Sequence, residues 1–310
     1  MKKHTTTLLL FVVMFVGLGL LLYPPLADYY NSFHQSRAIA SYTQAVETGD
    51  DGEDYTPYWE AARAYNRQLE GKNIVTRLNS AAKIADGYST MLDVNGSGII
   101  GVIEISEIAV TLPLYHGTSD VVLQVAVGHL EGSSLPTGDP GTHVAISAHR
   151  GLPSAKLFTN LDQLQLGDLF TLRVLDEVFT YEVDQIVIVL PHEVEVLEFQ
   201  NDGQAYCSLI TCTPYGVNSH RMIVRGHRVE NSTAAQAARV TADAQQIDPL
   251  IVTPIVAAPM LLVLLIIMLM DTSPKKKAKA AAKHFTTEEI VAAGEAIKPR
   301  NINEEGGERR

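Results

Sequence analysis

The sequence predicts a mainly β fold, a closed barrel of seven to eight strands preceded by a helical arm and flanked by two transmembrane helices. Three observations carry this prediction. Short β-type runs recur after Gly98: 99-IIGVIEI-105, 109-AVTLPLY-115, 143-HVAISAH-149, 169-LFTLRVL-175, 179-FTYEVDQIVIVL-190, 206-YCSLITC-212 and 222-MIVRGHRV-229. Turn clusters such as Gly132-Ser133-Ser134, Gly138-Asp139-Pro140-Gly141 and Asn201-Asp202-Gly203 separate them, with few helical stretches between. Two long apolar segments bracket the β-rich region.

The second apolar segment, 250-LIVTPIVAAPMLLVLLIIMLM-270, has 21 residues. As a helix it is about 31 Å long, which matches a hydrocarbon core of ~30 Å. The first, 8-LLLFVVMFVGLGLLLY-23, follows Lys2 and Lys3. A basic start before a short apolar region also describes a signal peptide, but Tyr23-Pro24-Pro25-Leu26 lacks the small residues of a cleavage site. The segment is therefore read as an uncleaved anchor, with a cleaved signal as the other reading. Lysines flank both segments on their terminal sides: Lys2 and Lys3 before the first, and Lys275, Lys276, Lys277, Lys279 and Lys283 after the second. Both termini are then expected in the cytoplasm and everything between the segments outside.

The expected order is a cytoplasmic start (1–6), an anchor (7–23), an extracellular helical arm (24–93), the barrel (94–230), an Ala/Thr/Gln-rich linker (231–248), the second membrane helix (249–270) and a charged tail (271–310). Within the arm, Leu26, Tyr30 and Phe33 have helical spacing. A second helix opens at Pro57, carries Trp59, Ala62, Asn66 and Leu69, and stops near Gly71. Residues 72–92 read as partly helical, with a lid over the barrel as one reading of this part of the arm. One short helix is expected around Ser154–Leu161, interrupting the barrel.

Between the membrane segments, residues 24–248 hold 13 Lys and Arg against 28 Asp and Glu, a net charge of −15. Such a surface repels phosphate backbones and argues against nucleic acid as a partner. An extracellular location allows a disulfide between Cys207 and Cys212, the only cysteines. Five residues along a strand span about 16 Å and end on opposite faces, whereas a bridge needs Cα atoms within about 7 Å. A strand over 207–212 therefore leaves Cys212 as a free thiol.

Three residues suit one chemistry. Cys212 and His149 each close a β-type run, and Arg221 follows Cys212 by nine residues. Thiolate is a nucleophile, a nearby imidazole can take and return its proton, and a fixed guanidinium can hold a developing oxyanion. Spacing alone leaves other readings open. A single thiol also fits a buried, inert side chain. His143, His220 and His227 compete with His149, and an arginine near a turn also fits a surface ion pair. The run 93-DVNGSGIIGVIE-104 matches much of a calcium loop, but a strand beginning near Ile99 reduces it to an Asx/Gly turn.

Leu209-Ile210-Thr211-Cys212 with Arg221, and Ala148-His149-Arg150-Gly151 upstream, resemble the sortases, membrane-anchored cysteine transpeptidases of Gram-positive bacteria. Longer stretches, 115-YHGTS-119, 128-GHLEGSSLPTG-138, 149-HRGLPSAKLF-158 and 211-TCTPYGVNSHRMIVRGHR-228, resemble the class C, pilin-polymerising branch, over roughly residues 94–230. The resemblance implies that Cys212 attacks the Thr–Gly bond of an LPxTG-like sorting signal. His149 then serves as general acid and base, and Arg221 positions substrate or stabilises the tetrahedral intermediate. The acyl acceptor is a lysine amine of a pilin subunit, and no cofactor or metal is implied. Two departures stand out: the Asp-Pro-aromatic lid motif common in class C is missing from residues 70–92, and Ser106-Glu107 stands where the family commonly has Pro-Lys. Anchoring of surface proteins to cell-wall peptide, and a non-catalytic surface assembly or binding module, are the alternatives.

Overall fold

A computed structural model describes residues 2–48, 54–84, 87–200 and 202–231. Eight strands close into one barrel in the order β1-β2-β3-β4-β7-β8-β6-β5. They are β1 (Ile99–Ile105), β2 (Val110–His116), β3 (Val127–His129), β4 (His143–Ser147), β5 (Leu169–Val174), β6 (Glu177–Val189), β7 (Tyr206–Thr213) and β8 (His220–Val229). Two neighbouring pairs, β2 with β3 and β4 with β7, run parallel, and the rest are antiparallel.

Strand alternation fills the barrel. Val144, Ile146 and Ala148 from the β4 region, Cys207 and Leu209 from β7, and Met222 and Val224 from β8 point inward into one apolar cluster. The residues between them, Ala145 on β4, Ile210 on β7 and Ile223 on β8, form a second cluster on the outer face. This is the two-residue period of a sheet with both faces covered.

Four helices precede or interrupt the barrel: α1 (Lys2–Thr48), α2 (Thr56–Leu69), α3 (Ile74–Ile84) and the single turn α4 (Asp120–Leu123). Helix α1 passes unbroken through Pro24 and Pro25, so anchor and first arm helix are one rod. Its apolar start exposes Leu9, Val12, Val13, Phe15, Val16, Leu20 and Leu21 by half or more, and Phe11–Glu47 is long and apolar enough to cross a membrane. Helix α2 opens with proline at its first turn and closes the barrel end with Trp59, which packs edge-on against Phe179 and donates to Asp176 (3.1 Å). Asn73 Oδ1 accepts the Thr76 amide (2.8 Å) and so caps the start of α3.

Two expectations need correction, one strand was missed and one turn is as expected. No α-helix forms over 154–161; the chain turns there, and a 3-10 turn follows at Leu161–Gln163. Leu157, Phe158 and Leu161 imitate a helical stripe because all three are buried at the barrel end. Strand β4 stops at Ser147, so His149 lies beyond it and not at its last residue. Strand β3 has only three residues, all buried, and offers no alternation to read. As expected, the calcium-like loop is an Asx turn: Asp93 and Asn95 turn their oxygens onto the Ser97 and Gly98 amides, and Glu104 pairs with Arg173. The linker, second apolar segment and tail lie outside the described residues.

Candidate active site

Cys212 and Arg221 are register partners at one end of the outward face, and His149 follows the end of the neighbouring strand β4 by two residues. On β7, residues alternate so that Cys207 lies inside while Ile210 and Cys212 lie outside. Both cysteines are free, Cys207 fully buried and Cys212 half-exposed. Burial pushes the Cys207 thiol well up, which marks it as inert. Arg221 is the direct register partner of Cys212 across the β7–β8 ladder, which sets their Cα atoms about 5 Å apart.

His149 reaches the same place by a different route. Strand β4 runs parallel to β7 with Ser147 opposite Ile210. The pairing continues past the strand end, where the Ala148 amide donates to Ile210 O (3.1 Å) and the Thr211 hydroxyl donates to Ala148 O (2.9 Å). Two residues beyond Ser147 on one chain, and two beyond Ile210 on the other, stand His149 and Cys212. The step from buried Ala148 returns His149, half-exposed, to the outward side.

The competing histidines sit elsewhere. His143, at the far end of β4, is buried, with Nδ1 3.1 Å from Glu198 O and Nε2 2.8 Å from Ser208 Oγ. A carbonyl only accepts, so Nδ1 carries the proton and Nε2 accepts from the serine. His227 lies 3.7 Å from Asp184 and six residues along β8 from Arg221, about 20 Å of strand. His220 pairs with Thr213 at the rim but on the alternate side of the ladder from Arg221, and its Nδ1 contacts Ser219 Oγ (2.9 Å).

Arg221 is aimed by its own turn. Its Nη1 donates to the carbonyls of Asn218 (3.3 Å) and His220 (3.1 Å), leaving its other N–H groups without a protein acceptor among the described residues. Gly151, at φ +74, is just as constrained: a Cβ there would lie 2.9 Å from the Tyr215 ring. The loop after Cys212 thus rests directly on the loop after His149, and only glycine admits that approach.

A cavity of about 260 Å³ leads away from this rim along the outer face. Ser147, Ile210, Ile223 and Arg221 form its floor; Leu123, Leu130, Leu190 and Leu197 stand at its sides; and Leu78 of α3 contributes to its cover. Neither Cys212 nor His149 lines it; they continue the floor rows by one outward-facing position. Helix α3 is fastened over this face. Ile74 joins the outer cluster, Glu198 Oε2 accepts the Ile74 amide (2.6 Å), and Glu198 Oε1 lies 3.5 Å from Arg77 Nη2. The Arg77 side chain is completely buried, its guanidinium 3.6 Å from the Phe199 ring centre. Burial lowers its pKa and Glu198 opposes that shift. The sequence left a lid over 72–92 as one reading; its pinning by a buried arginine was not legible, because arginines are mostly exposed.

A closed mixed β-barrel of eight strands is the fold of the sortases. The model of the sortase domain matches residues 103–229. Sortase C1 from Streptococcus agalactiae is 45% identical, with a TM-score of 0.57 over 63% of this chain and 100% of that one. Sortase C from Streptococcus pneumoniae is 42% identical, with a TM-score of 0.55 over 63% of this chain and 97% of that one. The chain belongs to the sortase family. Among curated relatives, sortase D of Bacillus subtilis is 30% identical over 42% of this chain and 63% of its own length. The chain spans less of the other two curated relatives it matches, 47% and 40%.

Proposed function

We propose that this protein is a class C sortase: a membrane-anchored transpeptidase that cleaves an LPxTG-like sorting signal and joins the acyl fragment to a pilin lysine amine. In the first step the Cys212 thiolate attacks the threonine carbonyl carbon of the Thr–Gly bond. The C–S bond forms, the C–N bond breaks, and His149 gives a proton to the departing glycine amine. In the second step His149 takes a proton from the incoming lysine amine, whose nitrogen attacks the thioester and releases Cys212. Arg221 holds the oxyanion of each tetrahedral intermediate. The observation that carries this reading is the register partnership of Cys212 with Arg221, with His149 two residues past the last paired residue of β4.

The class C assignment draws on the likeness to two sortase C structures, one of them described in terms of pilin substrate specificity. The test is direct. Full-length protein incubated with an LPxTG peptide yields a covalent adduct, retaining the acyl fragment and losing the glycine fragment by intact mass. With a pilin lysine peptide and a wall stem-peptide amine in competition, the lysine product dominates. No adduct removes the enzyme reading in favour of a surface binding module; preference for the stem peptide favours wall anchoring.

The same reading makes α3 a cover that leaves the groove before substrate enters, pinned by Arg77 and Glu198 without an Asp-Pro-aromatic motif. Arg77→Ala then raises the peptide acylation rate by roughly 5- to 30-fold, the equivalent of about 1–2 kcal/mol of docking energy. A rate unchanged or lowered in a normally folded variant shows that α3 does not obstruct the site.

A further inference from the structure

The part of α1 beyond the membrane carries a stripe that the chemistry at Cys212 does not itself require. Asp28, Asn31, Gln35, Ile39, Tyr42 and Val46 recur at three- and four-residue spacing, so they share one face of the helix. The far end of the stripe is an apolar dock: Tyr42 is buried, its hydroxyl donates to Ile100 O (3.3 Å) and accepts the Leu175 amide (2.8 Å), and Ile39 and Val46 pack beside it. Toward the membrane the stripe turns polar. The Lys156 amide donates to Asp28 Oδ1 (3.0 Å), Asn31 Nδ2 donates to Ser154 O (2.8 Å), and Gln35 Nε2 donates to Val125 O (2.6 Å).

These contacts fall on both sides of the catalytic rim. Ser154 and Lys156 lie in the segment that leaves β4 through His149. That segment closes on itself, with the Phe158 amide donating to His149 O (3.2 Å) and the Gly151 amide donating to Thr159 Oγ1 (3.1 Å). Val125 follows α4, whose Leu123 lines the cavity. Every group gripped is a backbone atom, so the contacts hold the path of the loops. Because α1 is continuous, the rod that grips them is also the apolar span: Asp28 lies five residues past Tyr23, about 7.5 Å of helix.

We propose that Asp28 and Asn31 are positioning residues for His149: acting through the 154–156 backbone, they make the membrane anchor part of the catalytic frame. The inference rests on the acid–base role given to His149 above. A loop held from outside by a helix loses freedom before substrate arrives, and orientation of a proton-transfer group acts on the chemical step and not on peptide binding. A merely structural role of the same two residues would act on the stability of the barrel instead.

The test uses the full chain in phosphatidylglycerol/phosphatidylcholine nanodiscs, with acylation by an LPxTG peptide followed by quenched intact mass across pH. Asp28→Ala removes the acceptor for Lys156, and Asn31→Asp sets a carboxylate against the Ser154 carbonyl. Each lowers the maximal acylation rate by about tenfold and moves the pH–rate profile, with KM within about twofold. Asp28→Asn keeps an acceptor oxygen and restores the rate. Unfolding followed through Trp59 fluorescence stays at the wild-type midpoint in all three. Wild-type rates and pH profiles in Asp28→Ala and Asn31→Asp, beside an active wild type, overturn this inference alone; so does a loss accompanied by an equivalent drop in the unfolding midpoint. A wild type that forms no adduct, or His149→Ala acylating at the wild-type rate, overturns the transpeptidase reading and this inference with it.

Discussion

Cys212→Ala yields no adduct with a sorting-signal peptide, and His149→Ala slows acylation by about 10²- to 10⁴-fold, the range lost with a positioned acid–base group. The cysteine result is expected to be complete because nothing can stand in for it. The chain has one other thiol, Cys207, which faces the barrel interior, is fully buried and has its pKa driven up by that burial. Arg221→Ala removes the only donor set in this constellation aimed from the β8 side, and a loss of about 10²- to 10³-fold is expected. Arg221→Lys does not restore it. The guanidinium is directed by two carbonyls of its own turn, and an ammonium on a flexible stem keeps the charge but not the direction. Single-turnover acylation, quenched and read by mass, measures all four variants. An adduct on Cys212→Ala that maps to Cys207 would end the assignment. Full activity in His149→Ala together with a dead His220→Ala would hand the proton transfer to His220, the other histidine at the rim.

Much of this arrangement was legible in the chain, and what was not has a physical reason. Strands β1, β5, β7 and most of β6 and β8 announce themselves by β-branched runs between turn residues, because each has long stretches of paired backbone. The same alternation separates the two cysteines: five residues along a strand put them on opposite sides, and so they are, one sealed and one half-exposed. The parallel pairing of β4 with β7 leaves no local mark, since its partners lie more than 60 residues apart. Yet that pairing sets His149 nearer than His143 to the Cys212 end of β7, so the choice of His149 rested on the family resemblance. The 154–161 loop misled because apolar residues packing under a barrel end can fall at helical spacing without a helix. The burial of Arg77 left no local mark. An arginine is ordinarily solvated, and the partners that bury this guanidinium, Phe199 and Glu198, lie over 120 residues away.

Acid is expected to unfold this barrel well above the pH at which its carboxylates protonate, and two histidines set the window. His129 and His143 are both buried, and burial holds each pKa down to about 4. Their hydrogen bonds fix the neutral form. His129 Nε2 lies 2.8 Å from Ser134 O and Nδ1 lies 2.7 Å from the Tyr88 hydroxyl, so the first donates and the second accepts. His143 uses Glu198 O and the Ser208 hydroxyl in the same way. In the unfolded chain each ring titrates near 6.5. Between pH 6.5 and about 4 the unfolded state therefore binds protons that the folded state refuses, and stability falls as pH falls. By pH 5 each histidine removes about 2 kcal/mol, and about 4 kcal/mol for the pair is a large part of a typical 5–15 kcal/mol. Glu131, whose carboxyl is pushed up by burial, works in the other direction. Trp59, the sole tryptophan, packs against Phe179 at the barrel end and reports the transition. Urea midpoints of the full chain in detergent should fall steadily from pH 7 to pH 5, and His143→Asn should flatten that slope while lowering the midpoint at pH 7. A midpoint constant over this range would show that the two rings are not held neutral. The consequence reaches the β4–β7 pairing, because His143 Nε2 accepts from Ser208 across that ladder. Protonating His143 adds its proton at Nε2, so it costs the bond from the Ser208 hydroxyl on β7 and leaves the Nδ1 bond to Glu198 O in place.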